Sequence, residues 1–137
     1  MCSVYNYLVI SIIWLLSKEN QVTMKRLIDR ELQHWKTGAR RKPLVLRGAR
    51  QVGKTYSMKK FGKHNFKNVA YTDFERNPER KRIFEQDLDP RRLLAELEIV
   101  QGQRIEPGET LLILDEIQEC PNALTSLKYF NDEIPGL

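Results

Sequence analysis

Short apolar runs separated by amphipathic stretches set the layout of this chain. Pro43-Leu44-Val45-Leu46, Asn68-Val69-Ala70-Tyr71-Thr72-Asp73-Phe74 and Leu111-Leu112-Ile113-Leu114 are brief and rich in aliphatic or β-forming residues. Runs of that length predict strands, and the fully apolar ones suit strands buried on both faces. Between them, apolar residues recur at helical spacing. Leu27, Ile28, Leu32 and Trp35 form one stripe within Met24 to Trp35, with Gly38 as terminator. Thr55 to Phe61 reads as a helix ending near Gly62. Asn77-Pro78 has the form of an N-cap followed by proline at the first helical position, opening a helix that carries Ile83 and Phe84. Asp89-Pro90 repeats the device, with Leu93, Leu94 and Leu97 on the buried side of the next helix. Pro107-Gly108 marks a turn, and Asn122 is placed to cap a last helix burying Leu124, Leu127 and Phe130. Strands alternating with helices predict an α/β fold with a parallel sheet.

The first 23 residues break this rhythm. Val4 to Leu16 is nearly all apolar or aromatic, with no charge before Lys18. A membrane span needs about 20 apolar residues, so no stable span is expected. A secretory signal would show a basic start and a small-residue cleavage site, and neither is evident. Met24 is read as the natural start, which makes residues 1–23 an apolar extension and 24–137 the domain proper; membrane association of the extension is the alternative.

Composition narrows the class. At 137 residues, with 41% hydrophobic and 30% charged, the chain is the size of one ordinary domain. The net charge of +5 comes from 23 basic and 18 acidic residues. A local excess, Lys36, Arg40, Arg41, Lys42, Arg47 and Arg50, draws in polyanions on one reading and is a solvated face on the other. No aromatic residues alternate with it to make a base-stacking platform. Cys2, Cys120, His34 and His64 stand apart, without metal-ligand spacing, which argues against a zinc site or a disulfide framework. Reduced thiols and a cytoplasmic location are expected.

Gly48-Ala49-Arg50-Gln51-Val52-Gly53-Lys54-Thr55 is a complete GxxxxGKT phosphate-binding loop, or Walker A motif. Backbone N–H groups can wrap a polyphosphate only where no Cβ blocks the approach, and Gly48 and Gly53 stand at those points. Lys54 supplies a point charge for the β- and γ-phosphates, and the Thr55 hydroxyl can bind Mg²⁺. The loop lies between an expected strand and an expected helix, whose N-terminus attracts anions.

Leu111-Leu112-Ile113-Leu114-Asp115-Glu116 has the Walker B form: an apolar strand with two carboxylates at its carboxyl end, where ligands bind in open α/β sheets. Asp115 is placed to serve the Mg²⁺ held by Thr55, and Glu116 to polarise the water that attacks the γ-phosphate. Asp73 reads as a surface or capping carboxylate, and Cys120 as structural. Asp115-Glu116-Ile117-Gln118 lacks the glycine of a GTPase Asp-x-x-Gly, and no Asn-Lys-x-Asp occurs. The pair of carboxylates points to ATP hydrolysis that drives a conformational change.

Three stretches in order, Arg47 to Thr55, Phe74-Glu75-Arg76-Asn77-Pro78-Glu79 and Leu114 to Pro121, resemble the prokaryotic AAA+-type ATPases that carry a C-terminal domain of unknown function. The likeness runs from about Met24 to Leu137. It implies a three-layer P-loop core, ATP and Mg²⁺ as cofactors, nucleotide contacts from Gly48 to Thr55 with catalytic help from Lys54, a metal aspartate at Asp115 and a catalytic glutamate at Glu116. Members of that family are far longer. The chain is therefore expected to be a fragment lacking the sensor strand, any arginine finger and the C-terminal domain. An omitted strand would leave a gap of about 10 Å in the sheet. Weak turnover alone, or a nucleotide-dependent switch without turnover, follows from that expectation. A homo-oligomer, a protein client and a nucleic acid are the partners left open.

Overall fold

A computed structural model of the chain describes residues 8–11, 21–39, 41–47 and 53–137. All three expected strands form, as β2 (Leu44–Arg47), β3 (Asn68–Asp73) and β4 (Thr110–Asp115), and a further strand, β1, spans Leu8–Ser11. They pair in two parallel two-stranded sheets, β1 with β2 and β3 with β4. A parallel pair requires a crossover. Helix α1 (Gln21–Thr37) lies in the first crossover, and the second contains a 3₁₀ segment (Pro78–Phe84) and helix α3 (Pro90–Gln101). Helices α2 (Lys54–Asn65) and α4 (Pro121–Glu133) complete the set. The architecture is α/β, parallel strand pairs accompanied by helices. No helix among the described residues is long and apolar enough to cross a membrane.

The chain divides into two compact units, residues 1–61 and 62–137. In the first, β1 and β2 run in register from Leu8 opposite Leu44 to Ser11 opposite Arg47. Leu32 on α1 is buried, as its place in the stripe predicts. The Trp35 indole donates to the Lys42 carbonyl at 2.6 Å, and its ring lies 6.5 Å from that of Phe61. The Arg41 guanidinium sits 5.2 Å from the Trp35 ring centroid, within cation–π range. Part of the basic run thus packs on an aromatic face rather than forming a solvated surface, and burial lowers the Arg41 pKa. Arg40 and Arg50 lie outside the described residues.

The second unit carries the larger core. Phe74, Phe84, Leu93, Leu97 and Ile105 are buried side chains grouped with Ala70, Ala123 and Phe130. The Phe74 and Phe84 rings meet edge to face at 5.6 Å and 76°. Asp89 caps α3 as its position before proline predicts, accepting from the Arg91 amide at 2.9 Å. Asp89→Ala is expected to lower stability by about 0.5–2 kcal/mol, read from the shift in the urea midpoint.

Two expected caps are used otherwise. Asn77 makes no side-chain cap; its amide donates to the Asp73 carbonyl at 3.3 Å, and the segment after it is 3₁₀ rather than α-helix. Helix α4 starts at Pro121, one residue before Asn122, whose side chain donates to the Phe84 carbonyl at 2.9 Å. The buried face of α4 is accordingly Ala123, Ser126 and Phe130, with Leu124 and Leu127 only half-buried.

Gly62 does not end its helix, which continues to Asn65. A Cβ at Gly62 would lie 2.6 Å from Val69 Cγ2 and 3.1 Å from Leu111 Cδ2, so this glycine lets the helix backbone approach the β3–β4 sheet. Gly62→Ala would gain up to about 1 kcal/mol in helix propensity. Overpacking against a stiff β-branched valine costs about 1–3 kcal/mol. The expected net result is a destabilisation that disappears in a Val69→Ala background, checked by urea denaturation of the single and double variants.

Candidate functional site

Strand β2 ends at Arg47 and α2 begins at Lys54, so the phosphate-loop sequence is the strand-to-helix connection. Residues 48–52, hence Gly48, Ala49, Arg50, Gln51 and Val52, lie outside the described residues. Gly53 has a φ of 82°, a left-handed conformation that other residues adopt only under strain. The ladder of α2 begins with the Ser57 amide on the Gly53 carbonyl at 3.0 Å. Lys54 and Thr55 are therefore the first two residues of a 12-residue helix, at its positive end. That end favours phosphate, and the hard oxygen of Thr55 suits Mg²⁺.

In the second unit the paired strands present carboxylates at their carboxyl ends. Asp73 on β3 stands opposite Asp115 on β4, and Tyr71 opposite Ile113. Side chains two apart on a strand share a face, which puts Tyr71 beside Asp73. The Tyr71 hydroxyl lies 2.9 Å from Asp115 Oδ2 and 3.3 Å from Asp73 Oδ2. Burial, followed by the hydrogen bond and charge of Asp115 and the proximity of Asp73, pushes the Tyr71 phenol well above its usual range. Both aspartates are buried, at 7% and 6% exposure, so Asp73 is not a surface group. It does cap: Oδ1 accepts from the Glu75 and Arg76 amides at 3.0 Å each, closing the turn after β3.

Asp115 Oδ1 accepts from the Glu116 amide at 3.1 Å. Glu116 itself has φ 50° and ψ 42°, the one non-glycine residue with positive φ among those described. Such a conformation costs about 1–2 kcal/mol, and backbone strain of this kind clusters at functional sites. The chain then reverses through a 3₁₀ turn, Ile117–Glu119, which brings the Gln118 amide onto Glu116 Oε2. Cys120 is buried, and desolvation raises its thiol pKa, as befits a structural residue.

Lys54 and Thr55 thus come together at one helix start, and Asp115 and Glu116 at one strand end. Tyr71 and Gln118 escaped the reading of the sequence. The i, i+2 spacing of Tyr71 and Asp73 was the available signal for the first. Gln118 needed the left-handed turn at Glu116 to be known.

Residues 40–136, most of the chain, match the family described as AAA domain. No curated protein and no solved structure matches the chain.

Proposed function

This chain belongs to the AAA domain family and is a P-loop NTPase module, on which basis we propose that it binds Mg·ATP through Gly48 to Thr55 and hydrolyses it to drive a conformational change. An AAA domain generally binds ATP with Mg²⁺. The observation that carries the assignment is the start of α2: a left-handed glycine followed at once by the lysine and threonine of the motif. Lys54 binds the terminal phosphates as a compact cation, and the Thr55 hydroxyl and the Asp115 carboxylate hold the metal. Magnesium, when bound, neutralises charge on the phosphate oxygens. Glu116 accepts a hydrogen bond from the attacking water and orients it.

Turnover by the chain alone is expected to be slow. The test combines two measurements. Mg·ATP at about 100 times its dissociation constant should stabilise the chain by about 2.7 kcal/mol, and Glu116→Gln should keep that stabilisation while abolishing phosphate release. Stabilisation with no release from the unaltered chain would make it a nucleotide-dependent switch. No stabilisation at all would end the ATPase reading.

A further inference from the structure

We propose that Tyr71 is a positioning residue for Asp115, its hydroxyl fixing the carboxylate in the orientation from which it serves the nucleotide-bound metal. The inference rests on the reading of Asp115 as the metal carboxylate. Each oxygen of Asp115 meets a neutral donor: Oδ2 the Tyr71 hydroxyl at 2.9 Å, Oδ1 the Glu116 amide at 3.1 Å. Two donors on two oxygens set the plane of the carboxylate.

Tyr71 is held in turn. Its carbonyl accepts from Gln101 Nε2 on α3 at 2.6 Å, and the same amide donates to Thr72 Oγ1 at 2.8 Å. Gln103 Nε2 reaches the Val69 carbonyl at 2.9 Å, so side chains from α3 and the loop after it clamp the backbone of β3. Asp73 gives the phenol a second, longer contact. Its Oδ2 lies 3.3 Å from the hydroxyl, while its Oδ1 is pinned by the turn amides. A phenol has one proton, and the shorter contact assigns it to Asp115. The Asp73 carboxylate is committed to the turn through Oδ1.

Partners that orient a metal ligand are typically worth about 10- to 100-fold in metal affinity. The experiment is Mn²⁺ binding to the full 137-residue chain in the presence of ADP, followed by electron paramagnetic resonance, together with ADP affinity in EDTA. Tyr71→Phe removes one oxygen and keeps the ring. It is expected to weaken Mn²⁺ about 10-fold while leaving the metal-free ADP affinity and the fold unchanged. Added to Asp115→Asn, it should weaken Mn²⁺ no further, because its effect passes through that carboxylate. If Asp115→Asn weakens Mn²⁺ and Tyr71→Phe does not, or the two effects add, the positioning role is overturned and the metal aspartate survives. If Asp115→Asn itself binds Mn²⁺ as the unaltered chain does, the metal-aspartate reading and this inference fall together.

Discussion

Lys54→Ala is expected to weaken Mg·ATP binding by 30-fold or more, the loss of about 2–5 kcal/mol that follows when one partner of a close charge pair is truncated. The lysine opens α2 directly after Gly53, at the positive end of the helix dipole. Removing the ammonium leaves the helix end in place, so residual binding should persist at high nucleotide concentration. Lys54→Arg should not restore full affinity, since a planar fork does not replace a compact cation at a tight turn. Isothermal titration with Mg·ATP gives both affinities. Equal affinity for the Lys54→Ala and unaltered chains would show that ATP, if bound, is held elsewhere.

Phe84→Ala should be the most damaging single truncation in the second unit, at about 3–5 kcal/mol. The ring is 1% exposed and stands edge-on to Phe74. It closes the 3₁₀ segment Pro78–Phe84, and its carbonyl receives the Asn122 amide from α4. The truncation would leave a cavity beside Phe74 and loosen the register between that segment and α4. Domains are stable by only about 5–15 kcal/mol, so urea denaturation should show a sharply lower midpoint. Phe84→Leu, which keeps most of the apolar volume, should lose less. An alanine cost below about 1 kcal/mol would mean that the 3₁₀ segment is not packed as described.

Much of the layout is legible because its causes are local. β2, β3 and β4 form where short apolar runs stand, and α3 starts where Asp89 precedes Pro90. The place of the phosphate-loop motif between β2 and α2 is legible for the same reason. Asn77 and Asn122 show the limit. Asn77 has the residue type and position of a cap, and Asn122 falls one residue inside α4. Their side-chain amides donate instead to the preceding Asp73 carbonyl and the distant Phe84 carbonyl, respectively. Gly62 resembles a helix terminator by composition, but the helix continues because the sheet needs its bare backbone close by.

The linear order of residues determined β2, β3 and β4, the place of the phosphate-loop motif between β2 and α2, and the two carboxylates at the end of β4, because each depends on neighbours a few positions away. The pairing of β1 with β2, the bridge from Tyr71 to Asp115 across 44 positions, and the turn that seats Gln118 on Glu116 were decided only by tertiary structure. Those contacts join groups distant along the chain or turned by a strained backbone. Their energies exist only once strand register and packing have brought the partners within hydrogen-bonding reach.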